Sequence, residues 1–172
     1  GLTQDGEPAG RLDCERAYAS AEGRDALARN VTLLHCVTEY PAPPESVNLR
    51  AMDTMAAQFG LPVGYSDHTL GFEVALAAVA RGATIIEKHF TLDRTLPGPD
   101  QAASLEPEEL RRMITGIRNI ERALGDGRKA PAAQELGNRD VARRSLVAAR
   151  AIRKDEVFVD ESLACKRPGY GV

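Results

Sequence analysis

At 172 residues the chain has the length of one ordinary domain, or of one domain and part of another. Hydrophobic residues at 43% and charged residues at 27% are a globular composition, and a formal net charge of -3 excludes the basic surface that binds nucleic acid by neutralising phosphates. Aromatics at 5% with no Trp disfavour a base-stacking platform, no apolar run reaches the roughly 18 residues of a membrane span, and residues 1–10 lack the apolar core of a secretory signal.

Residues 1–14 show no period and contain Gly1, Gly6, Gly10 and Pro8, so they read as loop. Residues 15–29 are rich in Ala and charge and predict a helix. Residues 31–36, a short apolar run with β-branched members, predict a strand buried on both faces. Tyr40-Pro41-Ala42-Pro43-Pro44 stops it. A helix follows from about Glu45, with Met52, Met55, Ala56 and Phe59 at helical spacing and Gly60 placed as its C-terminal cap. Residues 61–66 predict a second strand, 72–81 an Ala- and Val-rich helix ended by Gly82, and 83–90 a third strand. After a loop rich in Pro and Gly, Pro107 opens a long helix. Its stripe is Leu110, Met113, Ile114, Ile117, Ile120 and Leu124, closed by Gly125.

Strands alternating with helices in this way predict an α/β fold with a parallel sheet and crossover helices. No Gly-rich dinucleotide turn follows any of the strands. Each is followed instead by a polar loop carrying ionisable residues, as at the C-terminal strand ends of a (β/α)8 barrel. A closed barrel takes about 250 residues, so residues 1–128 are expected to form part of one. Residues 129–140 read as a linker. Within 141–172, residues 145–149 predict a strand and 152–158 a turn leading into another short one, too few residues for an independent core.

The chain has three His, and His35, His68 and His89 all fall at or just past a predicted strand end. A single His of this kind is ordinarily a hydrogen-bonded core or rim residue. Neighbouring strand ends in a barrel are close, however, so His68 and His89 can converge. Two neutral imidazoles with oxygen ligands suit a divalent transition metal. Residues two apart in a strand share a face, so Glu87 and His89 are both expected to look into the barrel, where a charge needs a partner: a metal, a charged substrate, or Lys or Arg from another strand. Ser66-Asp67-His68-Thr69 packs four polar side chains after an apolar strand. Asp100 in the Gly-Pro-Asp loop and Thr38 beyond Cys36 are weaker signals, and Cys36 reads as packing. The three Cys, odd in number and widely spaced, argue against a disulfide framework and suit a reducing cytoplasm.

Leu33-Leu34-His35-Cys36, Tyr40-Pro41, Gly64-Tyr65-Ser66-Asp67-His68-Thr69, Glu87-Lys88-His89-Phe90-Thr91, Gly98-Pro99-Asp100 and Lys166-Arg167-Pro168-Gly169 occur in that order. Together they closely resemble the sialic acid synthase family, the N-acetylneuraminate synthases and their legionaminic and pseudaminic acid relatives, from about Val31 to Val172. The resemblance implies the C-terminal portion of a (β/α)8 barrel followed by the start of a small antifreeze-like (SAF) domain at 141–172. It implies condensation of phosphoenolpyruvate with an N-acetylated hexosamine and release of phosphate. It implies a divalent metal, Mn or Mg, held by His68 and His89 and acting as a Lewis acid. It places Ser66 and Thr38 where hydroxyls meet the phosphate of phosphoenolpyruvate, and Glu87 and Asp100 where carboxylates contact the sugar or reacting centre. It further implies a homodimer.

Gln101 departs from the family, which often has His directly after the Asp of this loop, and residues 1–30 match only loosely. On this reading the chain is an interior piece, inactive alone. Two other readings stay open at the level of sequence: another two-His metal barrel acting on sugars, such as an isomerase or aldolase, and a non-catalytic remnant that binds metal or sugar.

Overall fold

The computed structural model describes residues 10–167 and divides into two compact units, residues 1–125 and 126–172. The first begins with two helices, α1 (Arg11–Ala19) and α2 (Ala21–Asn30), where one was expected from residue 15. Ser20 is the reason for the break. Its backbone is extended, and its hydroxyl accepts a hydrogen bond from the Gly23 amide, so it caps a new helix and cannot continue the old one. The expected loop at 10–14 is therefore largely helical, and residues 1–9 lie outside the described part.

Strand β1 (Leu33–Cys36), strand β2 (Val63–Asp67) and strand β3 (Ile86–Lys88) form one parallel sheet in the order β1-β2-β3. Between β1 and β2 the chain makes α3 (Pro44–Val47) and α4 (Ala51–Phe59), and between β2 and β3 it makes α5 (Glu73–Ala80). Gly60 ends α4 at φ 63°, a left-handed conformation that only glycine adopts freely. β2 is central and buried along its whole length, whereas β1 and β3 flank it and are only partly covered. The expectation that residues 31–36 are buried on both faces is thus met by β2 and not by β1, whose Cys36 is exposed.

One face of β2, with Val63 and Tyr65, packs with Val47, Met52 and Ala78 from the helices into the first core cluster. A second cluster joins Ala75 of α5 to Leu105 and to Met113 of α6 (Pro107–Leu124). The helix α6 starts and stops where Pro107 and Gly125 predicted. Its N-terminus carries a capping box between Glu106 and Glu109. Of its predicted stripe, Met113 is buried and Leu110 and Ile117 are partly buried, while Ile114 and Leu124 are exposed.

The second unit contains α7 (Ala133–Ala142), β4 (Ser145–Ala148) and β5 (Leu163–Lys166), the two strands pairing antiparallel. The expected linker at 129–140 is in large part this helix. The expected strand ending at Phe158 is absent: residues 156–159 have no ladder partner among the described residues, and Phe158 is 65% exposed. β5 lies further on, reached through a single 3-10 turn at Asp160–Ser162. The Pro168-Gly169 end of the last motif lies outside the described residues. No helix among the described residues is long and apolar enough to cross a membrane.

Leu105 is 1% exposed and ties the loop after β3 to that strand, its amide donating to the His89 carbonyl and its carbonyl accepting from the Thr91 amide, both at 2.9 Å. Leu105→Ala is expected to cost about 2–5 kcal/mol in a denaturant titration. Leu12→Ala, at a side chain 72% exposed, is expected to stay within about 0.5 kcal/mol.

Candidate functional site

The site is set by strand parity. Along β2 and the residue after it, Val63, Tyr65 and Asp67 point one way, and Gly64, Ser66 and His68 the other. Along β3 the second set is Glu87 and His89. Ser66 and Glu87 are register partners, and the Ser66 hydroxyl donates to Glu87 Oε1 at 2.6 Å. The rings of His68 and His89 meet one step further on, with centroids 5.2 Å apart. An open cavity of about 120 Å³ is lined by Ser66, His68, Glu87, Lys88 and His89. Gly64 lies deeper on the same face, where a Cβ would sit 2.5 Å from the Ile85 carbonyl oxygen and from Leu34. Glycine is required there for β2 to approach its neighbours.

His68 is oriented by backbone. Its Nδ1 lies 2.9 Å from the Val37 carbonyl, and since a carbonyl only accepts, Nδ1 carries the proton. That leaves the Nε2 lone pair for a ligand, the arrangement that metal-binding imidazoles use. Cys36 Sγ is a second, looser neighbour of the same nitrogen at 3.5 Å. Tyr40 covers both rings, its centroid 4.2 Å from that of His68 and 5.6 Å, edge-on, from that of His89. The donor set fits a divalent cation in part. Two imidazoles face one cavity with a carboxylate nearby, but no cluster of three or more His, Cys, Asp or Glu side chains forms a metal cage among the described residues. Water or substrate oxygens would have to complete the shell.

His35 does not join the pair. Its Nε2 donates to the Val47 carbonyl at 2.6 Å and its ring faces Tyr65, so it serves the core. Of the other predicted residues, Thr38 is exposed in the loop after β1 and Asp100 is partly exposed in the loop before α6. Neither lines the cavity. The Asp100 loop is held at its base, where Arg94 donates from its amide to Glu106, from Nε to the Ser104 carbonyl at 3.1 Å and from its guanidinium to Glu109.

The buried ion pair lies on the opposite face from the one expected to need a partner for Glu87. Lys88 Nζ lies 3.0 Å from Asp67 Oδ2, with side chains 3% and 0% exposed. Asp67 Oδ1 also accepts from the Thr69 amide and hydroxyl and from the Tyr65 hydroxyl. Burial, followed by the charge of Asp67, holds the Tyr65 phenol well above the ordinary tyrosine range. Sequence reasoning passed over this pair and the role of Tyr40. The parity rule puts Lys88 on the face opposite Glu87, but the register that makes Asp67 its partner belongs to the two strands together.

The sequence model described as the NeuB family matches residues 11–129. The chain is 53% identical over 147 residues to the N,N'-diacetyllegionaminic acid synthase of Campylobacter jejuni subsp. jejuni serotype O:2, covering 86% of this chain and 44% of that protein. It is 38% identical over 141 residues to the human N-acetylneuraminate-9-phosphate synthase, covering 81% and 39%. Among solved structures, the N-acetylneuraminic acid (sialic acid) synthetase of Leptospira borgpetersenii serovar Hardjo-bovis, in complex with citrate, superposes with a TM-score of 0.59 at 39% identity, covering 78% of this chain and 47% of that one. The chain thus spans less than half the length of these relatives.

Two measurements check the site's electrostatics. Neutral His68 is expected to be the Nδ1–H tautomer by nitrogen NMR, and an Nε2–H tautomer would contradict the Val37 contact. Tyr65 is expected to keep its proton above the ordinary tyrosine pKa of about 10. The unfolded chain then binds fewer protons than the folded one above that pH, so this group's contribution is constant below about pH 10 and falls as pH rises further. Tyr65→Phe should flatten that fall in an alkaline denaturation series.

Proposed function

The chain belongs to the NeuB family, and from that premise we propose that it carries the C-terminal strand-helix units of a (β/α)8 synthase barrel and the start of an SAF domain. The proposed reaction condenses phosphoenolpyruvate with an N-acetylated hexosamine to give a nonulosonic acid and phosphate. The observation that carries the reading is the convergence of His68, His89 and the Ser66–Glu87 pair on one face at the C-terminal ends of adjacent parallel strands. Active sites of barrels are built at that end.

His68 and His89 would hold a divalent metal, Mn or Mg, which when bound supplies Lewis-acid polarisation of the sugar aldehyde. The protein's own side chains do the rest. His68 presents Nε2 because Val37 occupies Nδ1. Tyr40 packs its ring against both imidazoles. Ser66 has one hydroxyl proton, now given to Glu87. A phosphate bound at Ser66, with Thr38 as a second donor, would recruit that proton. Glu87 would then be a freer carboxylate, placed to move a proton or stabilise positive charge at the reacting carbon. Asp100, on the loop clasped by Arg94, is proposed to reach the sugar.

The relatives' names favour one sugar class. The named product of the 53%-identical relative carries two acetyl groups on nitrogen, and carbon-carbon bond formation leaves such groups in place. A di-N-acetylated hexosamine is therefore the first substrate to try, ahead of the 9-phosphate type named for the 38%-identical human protein. A soluble cytoplasmic homodimer is the proposed setting. The 172-residue stretch alone is proposed to be inactive, because its parallel sheet has three strands among the described residues and a closed barrel has eight.

The full-length protein is expected to release phosphate from phosphoenolpyruvate only when an N-acetylated hexosamine is present. It should lose that activity to a chelator and regain it with Mn or Mg. Turnover of the sugar without phosphoenolpyruvate would instead show an isomerase or aldolase. Glu87→Gln is expected to lower kcat about 10²- to 10⁴-fold with metal binding intact; retained kcat removes Glu87 from the mechanism.

A further inference from the structure

The β2–β3 ladder ends one residue too early to hold the two imidazoles. Its last register pair is Asp67 with Lys88, and His68 and His89 are the next residue of each chain. No β-ladder rung therefore fixes the spacing of the His pair. At that last rung the two side chains turn to the opposite face and form a fully buried ion pair at 3.0 Å. The chain leaving β2 is tied into the same cluster. Asp67 Oδ1 accepts from the Thr69 amide at 2.9 Å and the Thr69 hydroxyl at 2.8 Å, and Lys88 Nζ donates to the Thr69 carbonyl. His68 is thus clamped between a residue bonded across to β3 and a residue bonded back to the same two side chains.

The geometry points to Asp67, Lys88 and Thr69 as positioning residues that set the separation and orientation of His68 and His89 from behind the sheet. The ligand toward which they act is a divalent cation, so the inference rests on the reading of the two His as its ligands. A purely stabilising role fits the chemistry poorly. A buried ion pair is generally matched or exceeded in stability by apolar residues of the same volume. What apolar residues cannot do is fix a direction across two strands and accept or donate to the backbone of Thr69. Outer groups that orient metal-binding imidazoles ordinarily account for about 10- to 100-fold in metal affinity.

The test uses the full-length protein and Mn alone as probe. The double variant Asp67→Asn with Lys88→Met removes both charges and leaves no unpaired ion, while the amide oxygen introduced at position 67 can still accept from Thr69. It is expected to keep the parent's circular dichroism, to unfold cooperatively at a lower Tm because the Thr69 carbonyl loses its donor, and to bind Mn at least about tenfold more weakly in an electron paramagnetic resonance titration. In a metal-free crystal structure its His68 and His89 rings should no longer share one fixed separation. A folded double variant with the parent's ring geometry and parent-like Mn affinity overturns the proposal. Should the double variant not fold, Thr69→Val removes one donor to Asp67 and keeps both charges. It is expected to weaken Mn in the same direction by a few-fold, and unchanged affinity there is equally fatal. A parent protein that binds no Mn refutes the metal reading instead, and the metal-free ring geometry still decides the positioning role.

Discussion

The structure depends on the two-residue period of β2. One set of its side chains builds the core and the other builds the site, and burial on both sides leaves neither set free to move. A slip of one residue would send Tyr65 and Asp67 into the cavity and Ser66 and His68 into the core. The slip is blocked from several directions. Tyr65 is 1% exposed within the cluster of Val47, Met52 and Ala78. Gly64 passes so close to Ile85 and Leu34 that no other residue fits. The Asp67–Lys88 pair closes at one register and no other.

The same period governs charge. Glu87 and Lys88 are adjacent in sequence yet separated by the sheet, so the carboxylate at the site is not neutralised by the ammonium beside it. Lys88 is committed to Asp67, and Glu87 is left with a neutral hydroxyl as its hydrogen-bond donor. The division of partners between the two faces is what leaves Glu87 bonded to Ser66 while Lys88 is bonded to Asp67.

Much of this was legible in the sequence, and the parts that were not share a physical cause. The bounds of α6 follow from Pro107 and Gly125 because helix ends are local events. The three strands follow from short apolar runs and their parallel order from alternation with helices, while the two-residue period puts Glu87 and His89 on one face. Ser20 was missed because a cap inside an Ala-rich stretch does not interrupt its composition. The helix α7 was hidden by the polarity of residues 129–140, which reads the same for a solvated helix as for a linker. The partner of Lys88 could not be read at all. A single strand carries no mark of which residue faces it across the ladder, and the register that pairs Asp67 with Lys88 is a property of two strands together. Thr38 and Asp100 lie on long loops, where spacing in sequence says little about distance in space.

The buried pair also explains why polar residues crowd the end of an otherwise apolar strand. A chain that turns out of a sheet leaves backbone groups without ladder partners, and in a buried position each must find one. After β2 the groups in question belong to Thr69, which is 1% exposed. Asp67 takes its amide and Lys88 takes its carbonyl. No buried side-chain nitrogen or oxygen among the described residues is left without a partner. With Val37 holding the His68 imidazole from the front and the Asp67–Lys88–Thr69 cluster holding its backbone from behind, the ring has one orientation open to it. His35, by contrast, turns its Nε2 to the Val47 carbonyl and its ring to Tyr65, and so serves the fold.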